Sequence, residues 1–433
     1  MPTESTESRD STSQLRLVRR TLARELDPLT LPGDQEDLSR AGLVDSMTRV
    51  NILLALEEVT GIPGLSTSWP DDRPFSVREL ASHISEAAAG PRETVRAEEV
   101  HANGNEAFEV SVAGWGVSPG STVVTAEDVD RECGFSPGFL RDRTGIESLR
   151  RAPNDESEIS LAARAAQSAL ENAQLSPDDI DLLVAVSTTF LGFPSFAATL
   201  HAHLLLQESA GAIDVGGACS GVIYGLAAAK ALLPAVNGRA ALVVASEVNS
   251  RRLLGIDSPP EFRALFGDAA CAFVLKLRAA GDGDARPGKR LRDFVWGCSS
   301  TFASALRLSW PSVGTPAVQF KGEQLAGAAI TQLERVIDRL TVMAAIDLAE
   351  VDRFALHEPN PRVLALFCQK AGIPVEKVPQ TSKTWGNLGS ATCGVNLCKA
   401  LSETDPMRER SRPATVLAAA VGPGLLWGGA CIG

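Results

Sequence analysis

The sequence is sparing with the residues that build metal sites. It holds eight cysteines and five histidines in 433 residues. No two cysteines form a CxxC pair, and no cysteine–histidine cluster has metal-ligand spacing. Zinc-ribbon and CxxC redox chemistry are therefore excluded, and no metal is expected. Scattered cysteines suit a reducing, cytoplasmic setting with one working thiol. An excess of positive charge is also missing. The net charge of −12 argues against nucleic acid or an anionic membrane as the main partner. No run reaches the roughly 18 uninterrupted apolar residues of a membrane span. The first residues, MPTESTESRDSTSQ, are polar and of mixed charge, unlike a signal peptide. No lysine precedes Lys230, although arginine is frequent. This carries no functional weight.

What is present is ordinary for a soluble globular chain: 44% hydrophobic and 22% charged residues. The length exceeds what one simple core supports, so two or three folded units are expected. Residues 1–12 read as a disordered tail and 13–88 as a small helical bundle. Its helices are SQLRLVRRTLARELD, SMTRVNILLALEEVTGI and FSVRELASHISEA. The second has the broadest apolar stripe, made by Val50, Leu53, Leu54 and Leu56 to Val59. Residues 89–107 carry Gly, Pro and charges without apolar periodicity and read as a linker. As a flexible coil its reach is roughly 5–6 Å × √19, about 25 Å. From residue 108 the texture is α/β. Apolar runs such as IDLLVAVST, ALVVASEV and ACAFVLKL alternate with Ala/Leu-rich helices such as SLAARAAQSALENA and SGVIYGLAAAKALL. Buried sheets covered by helices follow from that pattern. A polar loop splits the region into two halves of similar make-up, about 108–280 and 290–433.

Three segments carry candidate chemistry. In DVGGACSGVIYG, small residues lead out of a strand and Cys219 opens a long helix. The positive end of the helix dipole favours a thiolate there. The plainer reading is a small buried filler, and the other seven cysteines keep it. A nucleophilic cysteine needs a polarising partner. Among the histidines, His357 stands at the end of the strand VDRFAL, before Glu-Pro-Asn-Pro-Arg. His83 falls in the bundle, His101 in the linker, and His201 and His203 on a polar helix face. In KTWGNLGSATCG, Asn387 is framed by glycine and small residues. It reads either as an oxyanion donor or as a turn and cap residue. Similarly, Ser46 in AGLVDSMT reads as a helix cap or as an attachment point.

Taken in order, the ACSG strand-to-helix turn, the H-x-x-N-x-R strand end and the G-N-x-G-S-A turn resemble the β-ketoacyl-acyl carrier protein synthase III family. RDRTGIESLRRA, G192-F-P-S195, LFGDAACAFVL and GPGLLWGGACI extend the resemblance over about 108–433. It implies a thiolase-like five-layered αβαβα fold of two similar halves. L43-V-D-S-M47 and the helix after it resemble acyl carrier proteins, whose serine holds 4′-phosphopantetheine. A fused carrier at 13–88, with the arm covalently on Ser46, is thus implied.

By resemblance, Cys219 takes an acyl group from an acyl-CoA or acyl-carrier thioester. His357 and Asn387 then hold the thioester oxygen of a malonyl-type carrier thioester while CO₂ leaves. Phe139 and Arg143 match the nucleotide end of the pantetheine tunnel, and Asn360 matches a pantetheine contact. Arg362 and Lys370 match carrier-docking positions, and Phe193 matches an acyl-pocket residue supplied across a homodimer. Other carrier proteins are further expected partners. Three departures stand out. Within Gly422-Pro423-Gly424, Pro423 occupies the position whose N–H completes the family's oxyanion hole, and proline has none. Glu358 and Pro359 replace the usual Gln-Ala, so a carboxylate adjoins His357. Arg49 and Asn51 stand where carriers often show acidic residues. The expected reaction is decarboxylative condensation in a specialised fatty-acid-like or polyketide pathway. Acyl transfer to a hydroxyl, amine or thiol, and a non-catalytic scaffold, are the alternatives.

Overall fold

The computed structural model describes residues 6–26, 33–62, 64–70, 73–89, 108–279, 289–299, 305–309, 314–404 and 413–433. The chain divides into two compact units, Met1–Glu99 with Lys321–Thr331 and Val100–Phe320 with Gln332–Gly433.

The first unit contains helices Thr6–Glu25, Ser46–Thr60 and Val77–Ala89, with a single turn at Leu65–Ser68. Of the tail expected to be disordered over 1–12, residues 6–12 belong to the first helix, and residues 1–5 lie outside the described residues. No glycine or proline stands between Pro2 and Pro28, so nothing local stops the helix from running upstream. Val18, Leu22, Ile52, Leu53, Leu56, Phe75, Leu80 and Ile84 form the core of the bundle. The expected stripe is shifted at its end: Val59 is exposed and Glu57 is buried. The Glu57 carboxylate accepts from Ser66 N–H at 2.7 Å and Ser66 O–H at 2.6 Å, which satisfies it inside the core. Ala89 ends the last helix, and the rest of the expected linker, 90–107, lies outside the described residues.

The second unit is built on two sheets. The first runs in the order Phe108–Pro119, Asp268–Ala279, Ala240–Val248, Leu182–Val186, Gly211–Asp214. Its first two pairings are antiparallel and its last two parallel. The second sheet runs Leu291–Cys298, Leu426–Ile432, Val416–Gly422, Arg353–Leu356, antiparallel twice and then parallel. Both sheets share the run antiparallel, antiparallel, parallel, which makes the two halves alike, and the first adds one more parallel strand.

Side-chain alternation assigns the faces. Along Ala240–Val248, Ala241, Val243 and Ala245 join the core between the sheets, while Leu242 and Val244 join the outer one. The inner core takes its helical residues from Gly221–Ala235 and Ala391–Thr404. Helix Glu158–Ala173 covers the outside of the first sheet. Val336 and Leu340 of helix Gly322–Ala344 close over Gly429 on the outside of the second. The layers are therefore αβαβα, the expected α/β architecture.

One segment, Ala218–Ala235, is after all apolar and long enough to cross a membrane. Its composition has another cause. It belongs to a helix that packs between two sheets, so an apolar face along its length is buried in the core. Val222, Ile223, Leu226, Ala229 and Leu233 are all buried there.

Candidate active site

Strand Val416–Gly422 acts as a ruler for the site. The backbone N–H of His357 donates to Ala419 O at 2.8 Å. One residue along, the buried Ser220 hydroxyl lies 3.1 Å from Ala420 O, and 2.9 Å from Leu426 O. Two further along, Gly422 abuts the cysteine: a Cβ there would sit 2.8 Å from Cys219 N. Only glycine allows that approach. Cys219 lies in the turn Ala218–Ser220, just before helix Gly221–Ala235. Ala218 is held at φ 46, a left-handed conformation that costs an L-residue roughly 1–2 kcal/mol. The Ser220 anchors hold the turn in place.

Asn387 approaches through its own turn. Its backbone is clamped by LFGD, with Asn387 N–H donating to Leu265 O at 2.8 Å and Gly267 N–H to Asn387 O at 3.0 Å. Asn387 Oδ1 accepts from Gly389 N–H at 3.0 Å and Thr392 O–H at 3.3 Å. That occupies the acceptor end and leaves the NH₂ to donate. Ser390, three residues on, packs against the start of the cysteine helix: a Cβ on Gly221 would be 3.5 Å from Ser390 Cβ. Strand Val416–Gly422 thus carries the His357 backbone and borders Cys219, while the Asn387 turn reaches the start of the cysteine helix through Ser390.

The electrostatics revise one expectation. Burial, and secondly the charge of Glu247, push the Cys219 thiol up to about 12. Although its side chain is only half-buried by surface area, the surroundings exclude enough water for desolvation to outweigh the helix end. At rest the Cys219 side chain is a thiol, and the helix end does not make it a thiolate. Burial alone lowers His357 to about 4, so its ring is neutral. Its Nδ1 is buried and has no hydrogen-bond partner among the described residues. The neighbouring carboxylate does not protonate this ring. Glu358 is fully buried and accepts from Ser382 N–H and O–H, each at 2.8 Å, and from Asn396 Nδ2 at 3.1 Å. It is spent on those three donors.

The peripheral positions separate. Arg143 lies over the Phe139 ring at 5.7 Å, and Arg362 donates to Asp142 O and Arg143 O at 3.1 and 3.4 Å. Asn360 caps helix Pro361–Ala371, its Oδ1 accepting from Val363 N–H at 3.0 Å. These four gather where helices Phe139–Thr144 and Pro361–Ala371 meet. Lys370 is in the last turn of the latter and pairs with Glu334 at 3.3 Å. Phe193 is fully exposed on this chain. In the loop Gly422–Pro423–Gly424, Pro423 starts a short turn and Gly424 is left-handed at φ 74. In the helical unit, Asp45 rather than Ser46 is the cap, accepting from Thr48 N–H at 2.8 Å and Thr48 O–H at 2.7 Å. Ser46 is exposed in the first helical position. Its hydroxyl makes no hydrogen bond among the described residues.

Comparison with known proteins agrees with this fold. Residues 343–433 match the family model described as 3-oxoacyl-[acyl-carrier-protein (ACP)] synthase III C terminal, and 213–298 match that of 3-oxoacyl-[acyl-carrier-protein (ACP)] synthase III. The β-ketoacyl-[acyl-carrier-protein] synthase III of Granulibacter bethesdensis is 33% identical over 328 residues, 74% of this chain and 98% of the relative. The chain belongs to the synthase III family. The Methylococcus capsulatus synthase III is 30% identical, with the same coverage of 74% and 98%. Residues 134–255 also match a model described as FAE1/type III polyketide synthase-like protein. Among solved structures, 3-oxoacyl-(acyl carrier protein) synthase III from Pseudomonas aeruginosa PAO1 superposes with TM-score 0.65 at 26% identity, over 75% of this chain and 98% of that one. The priming β-ketosynthase of the R1128 polyketide pathway gives TM-score 0.64 at 25% identity, over 75% and 96%.

Within this synthase III chain, the supporting roles of Ser220, Glu247, Glu358 and Ser390 escape a motif reading. Ser220 and Ser390 lie inside the quoted motifs and Glu358 stood out beside His357, while Glu247 left only the signal of one acidic residue in the apolar run ALVVASEV.

Proposed function

We propose that the chain is a condensing acyltransferase acting on thioesters. The carrying observation is a pair of neutral donors. His357, lowered to about 4, is a weak base but a sound donor. Asn387 has its acceptor end occupied. Acyl transfer to a hydroxyl or amine wants a base near pH 7, whereas enolate formation wants donors already in place. Each such donor contributes on the order of 3 kcal/mol.

In the first half-reaction Cys219 Sγ attacks the acyl thioester. The C–S bond to the donor breaks, and the thiol proton leaves with the departing thiol. In the second, a malonyl-type thioester loses CO₂, and its thioester oxygen gathers negative charge against His357 Nε2 and Asn387 Nδ2. The enolate carbon attacks the acyl-Cys219 carbonyl. Cys219 departs as thiolate and takes up a proton, leaving a β-ketoacyl thioester. Incubating the full chain with an acyl-CoA and a malonyl thioester releases CO₂ and gives that product. Acylated product without CO₂ overturns the reading in favour of plain acyl transfer. Cys219→Ala abolishes acyl loading in an enzyme and changes nothing in a scaffold.

We further propose that the helical unit is a fused carrier modified at Ser46. The fit rests on an exposed hydroxyl, free of capping duty because Asp45 supplies the cap. The arm, when bound, supplies a terminal thiol that holds acyl groups as thioesters. Treatment with a phosphopantetheinyl transferase and CoA adds one arm mass to the wild type and none to Ser46→Ala. Addition elsewhere overturns the assignment. The exposed Phe193 fits a homodimer in which it enters the partner's acyl pocket. The unpaired cysteines and the family relatives support a cytoplasmic setting. The polyketide-type neighbour supports a specialised pathway.

A further inference from the structure

Glu247 is fully buried, yet no cation pairs with it among the described residues. Strand alternation turns it toward the inner core with Ala241, Val243 and Ala245, while Ser246 faces out and donates to Glu158 O at 2.8 Å. Its carboxylate gathers donors from two separate loops. From the loop after strand Leu182–Val186, Thr188 N–H donates at 3.0 and 3.1 Å, Thr188 O–H at 2.9 Å and Thr189 N–H at 3.0 Å. From the Asn387 turn, the Ser390 hydroxyl donates to the same carboxylate. The first loop leads to Phe193, and the second carries the enolate donor. Val248 N–H donates to Thr189 Oγ1 at 2.9 Å, fixing the first loop to the same strand end.

We propose that Glu247 is a positioning residue that joins the acyl-pocket loop to the Asn387 turn behind Cys219. Acyl pocket and decarboxylation site are thereby held in one register, so the acyl carbonyl and the enolate carbon meet at reacting distance. Such alignment is sensitive: a misplacement of about 1 Å costs on the order of 10²-fold in rate. After burial, the charge of this carboxylate is the second cause of the raised Cys219 thiol. Among the described residues, no other charged side chain contributes to that shift.

This inference rests on the condensation reading, and its test separates the two. Acylation of Cys219 and condensation are timed separately in wild type, Glu247→Gln, Glu247→Ala and Ser390→Ala, each as full chain. Glu247→Gln keeps an acceptor for the N–H groups and an amide for the hydroxyls, so it restores most of the condensation lost in Glu247→Ala. Ser390→Ala cuts only the Asn387 side. It slows condensation on the order of tenfold or more while acylation keeps its rate. Iodoacetamide labelling of Cys219 in Glu247→Gln shifts to lower pH. The proposal is overturned if Ser390→Ala and Glu247→Ala leave the ratio of the two rates unchanged. If Glu247→Ala does not fold, Ser390→Ala decides. A wild type that never releases CO₂ instead defeats the condensation reading, and the labelling shift still reports whether Glu247 faces the thiol.

Discussion

Raising the pH should speed alkylation of free Cys219 without a plateau through the neutral range. With its thiol at about 12, the thiolate fraction at pH 7 is about 10⁻⁵, against about 3% for an ordinary cysteine near 8.5. The resting enzyme is therefore about 3,000-fold poorer in thiolate than a free cysteine at that pH. The assay is mass-spectrometric timing of iodoacetamide addition at Cys219, mapped by peptide, from pH 6 to 10. The rate should climb about tenfold per pH unit across the whole window, because every point lies below the titration. The sign follows from the cause. Burial penalises the charged form, so protonated thiol dominates until alkaline pH. A curve that levels off below pH 8 would refute this reasoning and return the helix end to control of the nucleophile.

Pro423→Gly should restore an N–H to the loop beside Gly422 and Cys219. An oxyanion donor is worth about 10²–10³ in rate, so single-turnover acylation should rise tenfold or more. An unchanged rate would mean that another donor already serves. Glu358→Ala should strand three donors and cost several kcal/mol at about 1–3 kcal/mol per orphaned group, whereas Glu358→Gln should melt near wild type. Equal melting of the two variants would contradict the described network. Burial of neutral His357 also has a stability sign. The folded ring at about 4 binds fewer protons than an unfolded one at 6.5, so stability is intact above pH 6.5 and falls toward pH 4. The difference is on the order of 2–3 kcal/mol by pH 4.5. Urea midpoints at pH 7.5 and 4.5 should converge in His357→Gln and separate in wild type.

Much of this was legible in the sequence, for definite reasons. Local motifs with fixed backbone demands read well. Small residues around Cys219 report the approach of Gly422, and the glycine-framed Asn387 reports a clamped turn. Apolar runs alternating with helices gave the two sheets, because buried parallel strands have no polar face to disguise them. What a neighbour in space decides did not read. Desolvation reverses the dipole's effect on Cys219, but burial depth is a property of the packed fold. Glu358 adjoins His357 in sequence, yet Ser382 and Asn396 take its carboxylate elsewhere. The pairing of Lys370 with Glu334 from another helix is likewise set by the fold. In the Asp-Ser pair before the second helix, both residues are fit caps. Only the observed bonds gave the cap to Asp45 and released Ser46.

The central claim is that neutral His357 and Asn387 drive decarboxylation against an acyl-Cys219. Rapid-quench single turnover tests it most directly. The full chain is loaded with an acyl-CoA, a malonyl thioester is added, and acyl-Cys219 and CO₂ are counted over time. The account predicts that acyl-Cys219 disappears in step with CO₂, one for one, and that Asn387→Ala slows both on the order of 10²-fold or more while loading persists. Loss of acyl-Cys219 with no CO₂, or an unaltered rate in Asn387→Ala, would contradict it.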